Sequence, residues 1–293
     1  MLKMEKLVKV TVAQVTDGST NSSSFLNLFD IENGLKYKEP HNQLNRFFKG
    51  VKVAKEDNSN FLVFPELFLP HQYLKNYVSH VAEKFRFIII GGIEWLESRE
   101  QNGNRTIENH AFIAIPSVLE KGSKTPHSKA TIIEIPKMFP APAESVMLDL
   151  HKYQFQGENK IYLFESKALG NWAILVCFDY LNLPVQKLLQ AKIQTLFVVA
   201  YNSDLGYFHT LSDTLHRILF CNVVVCNTGN YGGSHSFTPY RSPHKRQRYE
   251  ISGNQVDAIT TIELPLKDLA KEQKAESHEH NSDFMHKPAN FSL

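Results

Sequence analysis

Apolar residues in this chain fall into short runs rich in β-branched side chains, separated by stretches whose apolar residues recur at helical spacing. Residues 8–15 form the first run, and Phe61, Leu62, Val63 and Phe64 form another that stops at Pro65 and Glu66. Runs at 87–90, 111–115, 130–135, 161–165, 172–177, 196–200, 223–226 and 258–264 predict further strands. Leu44, Phe47, Phe48, Val51 and Ala54 recur at i, i+3, i+4 and i+7, which predicts an amphipathic helix. Helices are also predicted over 74–84, 184–191 and 213–220. Strands alternating with helices indicate an α/β domain, and strands apolar throughout fit a sheet covered on both faces. Residues 16–40, rich in Ser, Asn and Gly, read as a loop or insertion. One domain is expected over about 1–270, followed by a polar, His-containing tail, 271–293, that is loose or reaches a partner subunit.

Composition narrows the class. Lys and Arg total 32 against 30 Asp and Glu, so the bulk charge recruits neither nucleic acid nor an acidic membrane. No apolar run approaches the roughly 20 residues of a membrane helix. The charged N-terminus lacks the apolar core of a signal peptide. Three cysteines, Cys177, Cys221 and Cys226, form neither a disulfide framework nor a CxxC pair. A reduced, cytoplasmic protein is expected.

Catalytic groups of α/β proteins sit just beyond the carboxyl ends of strands. Three reactive residues occupy such places: Glu66 after 61–64, Lys137 after 130–135, and Cys177 at the end of 172–177. A carboxylate, an ammonium and a thiol are the parts that covalent acyl transfer needs: a base for the thiol proton, a nucleophile, and a cation to meet the oxyanion. Taken singly each has a plainer reading, as a buried small hydrophobe, a surface carboxylate and a solvated charge; their order along the chain gives the pattern its weight.

The segments resemble the nitrilase, or carbon–nitrogen hydrolase, superfamily over most of the chain. Ala13-Gln14 looks like that family's opening motif, Phe64-Pro65-Glu66-Leu67-Phe68 its Glu motif, and Ile90-Gly91-Gly92 its glycine-containing strand. Asn109-His110-Ala111-Phe112 resembles the Asn-led strand. Lys137-Met138-Phe139-Pro140, with Glu144 seven residues after the lysine, resembles the Lys block. Val176-Cys177-Phe178-Asp179 resembles the nucleophile elbow, and Asn227-Thr228-Gly229 with Gly232-Gly233-Ser234 the C-terminal elements. Ordered matches of this kind are far more specific than one pattern.

The resemblance implies a nitrilase-like α-β-β-α four-layer sandwich with Glu66, Lys137 and Cys177 as a catalytic triad. Glu66 would act as base, Cys177 as nucleophile, Lys137 and the Phe178 backbone N–H as oxyanion donors, and Glu144 as the group that orients the substrate amine and keeps Lys137 charged. An amidase-type hydrolase is expected, acting through a Cys177 thioester on a small amide, carbamoyl or nitrile substrate, without metal or organic cofactor. A homodimer or higher oligomer is also implied. Phe68, Tyr153, Tyr201, Asn202 and Phe208 are candidate pocket walls. The alternatives are a catalytically silent assembly or regulatory module, and an acyltransferase or amidotransferase half of a larger system.

The chain departs from the family pattern at Leu181 and Leu183, where many members carry Arg and Pro; Pro184 comes one residue late. The interval from Gln14 to Glu66 is longer than usual, and 242–248 with the tail lacks the usual C-terminal strand pattern. The basic run His244, Lys245, Arg246 and Arg248 reads as a solvated loop. His278, Glu279, His280 and His286 are not preorganised for a metal. His216 and Arg217 read as helix packing and ion pairing.

Overall fold

A computed structural model of the chain describes residues 3–19, 26–31, 34–99, 105–119, 129–276, 282–289 and 291. The first half contains β1 (Leu7–Gln14), β2 (Phe29–Asp30), β3 (Lys36–Tyr37), α1 (Pro40–Glu56), β4 (Phe61–Val63), α2 (Ser79–Phe85), β5 (Ile88–Gly92), β6 (Leu96–Arg99), β7 (Arg105–Glu108), β8 (His110–Ile115) and β9 (Thr131–Pro136). Then come α3 (Pro142–Leu150), β10 (Tyr153–Phe155), β11 (Leu163–Ser166), β12 (Gly170–Val176), α4 (Leu183–Leu189), β13 (Thr195–Ala200), α5 (Leu205–Ile218) and β14 (Asn222–Asn227). The chain closes with β15 (Ser234–Phe237), α6 (Pro243–Arg246), β16 (Gln247–Ile251), β17 (Ala258–Pro265) and α7 (Lys267–Lys274).

Two six-stranded sheets dominate, ordered β17-β1-β4-β5-β8-β9 and β11-β12-β13-β14-β15-β16. Side chains alternate across a strand, so each strand of the first sheet serves two cores. Val10, Val12, Phe61, Val63, Ile88 and Ile90 face the second sheet. Ala13, Leu62, Phe64 and Ile89 face outward, onto Leu44, Phe47, Val51 and Ala54 of α1 and onto Val81 and Ala82 of α2. Phe48 lies outside that stripe, 41% exposed. Between the sheets Phe61 meets Trp172 edge-on at 5.3 Å and Phe197 at 4.9 Å. On the far side, Val185 and Leu189 of α4 and Phe208 and Leu215 of α5 join the core. The result is the α-β-β-α sandwich that the family resemblance implied.

Three parts of the sequence reading change. Residues 16–40 are not only loop: β2 and β3 pair antiparallel, and Phe29, Leu35 and Tyr37 build a third core with Leu67, Trp95 and Tyr153. Residues 242–248 include α6 and the start of the edge strand β16. The tail is not simply loose. The boundary near 270 falls inside α7, and Phe284, 4% exposed, packs with Phe220 and Leu269 and stacks on Tyr240. His278, Glu279 and His280 lie outside the described residues. Among the described residues no helix is long and apolar enough to cross a membrane.

His216 packs as expected. It is fully buried, donates Nδ1–H to the Ser212 carbonyl at 3.1 Å and stacks on Phe237, while Arg217 reaches Asp213 at 3.4 Å. Burial pushes the His216 imidazole down to about 4. The sign follows: stability is fully present above the unfolded pKa near 6.5 and is lost as pH falls from there toward 4. At pH 5 the contribution lost is about 2 kcal/mol. We therefore expect wild type to lose about that much more than His216→Phe between pH 7 and 5 in denaturant titrations. Equal losses in the two proteins would contradict this.

Candidate active site

Three strand ends bring the reactive side chains together. After β4 the chain bends at Pro65, and Leu67 takes a left-handed backbone (φ 53°), which turns Glu66 inward. Gly92, at the end of β5, lies against this bend: a Cβ there would stand 2.5 Å from the Glu66 Cα and 2.3 Å from the Leu67 nitrogen. Only glycine lets the two segments approach so closely. Lys137 follows β9 directly, its N–H bonded to the Asn109 carbonyl at 2.7 Å. Cys177 follows β12 at φ 44°, a left-handed conformation that costs a non-glycine residue energy. Asp179, on the short turn that starts at Cys177, accepts the N–H groups of Met138 and Phe139 at 2.9 and 3.0 Å. The nucleophile turn therefore grips the segment just after the lysine. Burial pushes the Asp179 carboxyl up to about 7 against the pull of these two bonds.

The side chains form one buried cluster. Lys137 Nζ, in a residue 2% exposed, reaches Glu66 Oε1 at 2.9 Å and Glu144 Oε2 at 2.5 Å. Glu144 sits in the first turn of α3 and also receives the Ala141 N–H at 3.2 Å. Burial favours a neutral lysine, but Glu66, Glu144 and Cys177 outweigh it and hold the ammonium well above its usual range. Burial also opposes charge on Glu144, yet Lys137 and the hydrogen bonds around it bring its pKa below the ordinary value. Lys137 is thus held as a cation that donates to both carboxylates.

Asn109 joins the two carboxylates. Its Nδ2 donates to Glu66 Oε1 at 2.8 Å and to Glu144 Oε1 at 2.9 Å, and its own Oδ1 has no partner. Two acceptors facing one amide leave its carbonyl no choice of direction. Trp95 Nε1 completes Glu144 at 3.1 Å, and the Tyr201 N–H donates to Glu66 Oε2 at 2.8 Å. Cys177 is 5% exposed; burial, then the nearby Glu66 carboxylate, push its thiol well up, against Lys137 and the Tyr201 N–H. The resting sulfur is therefore a thiol beside a carboxylate that can take its proton.

The structure brings Glu66, Lys137, Glu144 and Cys177 into one cluster. The wall residues fare differently. A cavity of about 250 Å³ lies over Cys177, and of the five candidates Tyr201 lines it. Phe68 stacks on Phe64 at 4.7 Å in the outer core. Tyr153 sits in the third core and reaches the Ile31 carbonyl. Phe208 packs edge-on against Tyr180, and Asn202 is bonded to Asn227 and Asp204. Leu181 packs against the main core and Leu183 is 72% exposed, so neither position carrying the family departure lines the cavity.

Asn109, Trp95 and Asp17 received no role from sequence. Asp17, from the segment read as insertion, accepts the Tyr201 hydroxyl at 2.9 Å and is itself held by Ser19 and Asn230. Of the remaining motif residues, Gln14 ties the two sheets, its Oε1 accepting the Ser234 N–H at 3.0 Å, and Asn227 exchanges bonds with Asn202 at the strand ends of the second sheet.

No protein-family model and no curated protein matches the chain, but solved structures do match its fold. An amidase from Nesterenkonia sp. AN1, described as a member of the nitrilase superfamily, superposes with a TM-score of 0.60 at 14% identity, covering 94% of this chain and 98% of that one. A variant of that amidase, carrying the acetamide moiety of fluoroacetamide on its active-site cysteine, matches at 0.58 and 14% identity over 92% and 95%. A glutamine-dependent NAD+ synthetase from Acinetobacter baumannii matches at 0.57 and 15% identity, over 90% of this chain and 47% of that one. These likenesses, with the two-sheet architecture, show that the chain has the nitrilase-superfamily fold.

Proposed function

We propose that the chain is a cysteine-dependent amidase that cleaves a small, non-peptide C–N bond through a Cys177 thioester. The observation that carries this reading is the buried cluster itself: a thiol on a strained elbow, facing a carboxylate, with an ammonium shared between that carboxylate and a second one. Buried charges are costly, and removing either partner of such a pair is worse. Their chemistry gives them a use that packing alone does not.

In the proposed reaction Glu66 takes the thiol proton as the sulfur attacks the amide carbon. A C–S bond forms and the carbonyl π pair moves to oxygen, where the Lys137 ammonium and the Phe178 N–H receive it. The C–N bond then breaks as Glu66 returns its proton to the departing nitrogen. Water, deprotonated by Glu66, attacks the thioester, releasing the carboxylic acid and restoring the thiol. Glu144 and Asn109 hold Lys137 and Glu66 in place and orient the leaving amine. An amidase is also what the Nesterenkonia protein is named.

The test is ammonia release by the purified chain from a panel of primary amides. Ammonia and carboxylic acid are expected in equal amounts, and Glu66→Gln is expected to release neither. A folded wild-type protein that releases no ammonia from any amide would favour the silent-module alternative.

A further inference from the structure

The cavity over Cys177 also constrains the substrate that the proposed amidase would take. Besides Glu66, Lys137, Glu144 and Cys177, it is lined by Leu26, Leu67, Trp95, Met147, Tyr201 and Tyr231, with two alanines and one serine. The polar atoms of two of the aromatics are turned elsewhere. Trp95 Nε1–H is spent on Glu144 and the Tyr201 hydroxyl on Asp17, so both present carbon to the cavity. Tyr231 meets the Tyr201 ring edge-on at 5.5 Å, closing the same wall.

The charges at the floor are spoken for. Glu66 and Glu144 share Lys137, which leaves one net negative charge: two carboxylates against one ammonium. Among the described residues the cavity is lined by no second cation. A carboxylate on the acyl group would face the negative floor with no cation among these residues to pair with, an arrangement that buried charges disfavour. At about 30 Å³ per water, 250 Å³ holds about eight waters, which suits a small amide.

Resting on the amidase reading, we infer that the pocket selects neutral, apolar acyl amides of this size and rejects acyl groups carrying a carboxylate, glutamine included. Leu26 on the wall and Asp17, which holds the Tyr201 hydroxyl, are the contributions of the 16–40 segment to this pocket.

The experiment pairs 4-methylpentanamide with succinamate, which have nearly the same skeleton and differ in charge, and adds glutamine. For wild type, kcat/KM is expected to favour the neutral amide at least about 100-fold over either. Met147→Arg, which puts a cation on the cavity wall, is expected to narrow that ratio. A ratio near one in wild type would overturn the inference while leaving the amidase reading intact. If no amide is cleaved, the amidase reading fails, and the pocket is read separately through ligand-induced thermal stabilisation of Cys177→Ala. Stabilisation by 4-methylpentanamide and none by succinamate supports the inference. Equal stabilisation, or none by either at saturating concentration, overturns it.

Discussion

Cys177→Ala is expected to lower amide hydrolysis by about 10⁶-fold, the scale of loss when the nucleophile is removed from a set of groups that act as a unit. Glu66 is left with no thiol proton to take, and Lys137 and the elbow N–H have no tetrahedral oxyanion to receive. Stability should change little. Alanine meets the same left-handed strain at φ 44° as cysteine does, and the loss of one sulfur opens a small hole beside an existing cavity. Circular dichroism and a melting curve matching wild type, together with a lost rate, are the expected pair of results. Retention of more than about a hundredth of the activity would assign the chemistry elsewhere.

Lys137→Met is expected to damage both rate and fold. Glu66 and Glu144 lie on either side of the ammonium at 2.9 and 2.5 Å, in a region where all three side chains are buried. Removing one partner of a buried pair costs about 3–5 kcal/mol, because the other charge is left uncompensated. The lost oxyanion donor costs a further 10²–10³ in rate, as a rough scale. The two effects separate by a second substitution. Lys137→Met combined with Glu144→Gln removes one of the stranded charges, so it should recover part of the melting temperature and none of the activity. Recovery of activity in the double variant would contradict the role given to Lys137.

Legibility in the sequence followed how local each signal is. Glu66, Lys137 and Cys177 each close an apolar run, so a strand reading also locates the residue at its end. Glu144 follows the lysine by seven residues, with Pro140 and Pro142 between them fixing where the helix starts. The long apolar strands were readable for the same reason, since both faces of the first sheet are buried. Shorter strands were not. Leu96–Arg99 and Gln247–Ile251 carry polar residues at sheet edges, Arg105–Glu108 is the short middle strand of a three-stranded sheet, and Ser234–Phe237 is buried yet mostly polar, with Ser234 and His235 bonded to partners distant in sequence. The wall residues were the least readable. Phe68 and Phe208 stand near the right strand ends, but which face an aromatic ring takes depends on packing that no local pattern encodes. Asn109, Trp95 and Asp17 act through contacts 35, 49 and 184 residues away in sequence, which explains their silence at that level.

The central claim, that Cys177 is the nucleophile at the floor of a substrate pocket, is tested most directly by intact-protein mass spectrometry after exposure to fluoroacetamide. Attack by the sulfur forms an S–C bond and expels fluoride, leaving one acetamide moiety that cannot be hydrolysed away. Cys221 and Cys226 are fully buried, with thiols pushed far up by burial, so they should remain unmodified. The account predicts one adduct per chain in wild type or Glu66→Gln, mapped to Cys177, slowed by 4-methylpentanamide and absent from Cys177→Ala. No adduct in either protein, or labelling that persists unchanged in Cys177→Ala, would contradict it.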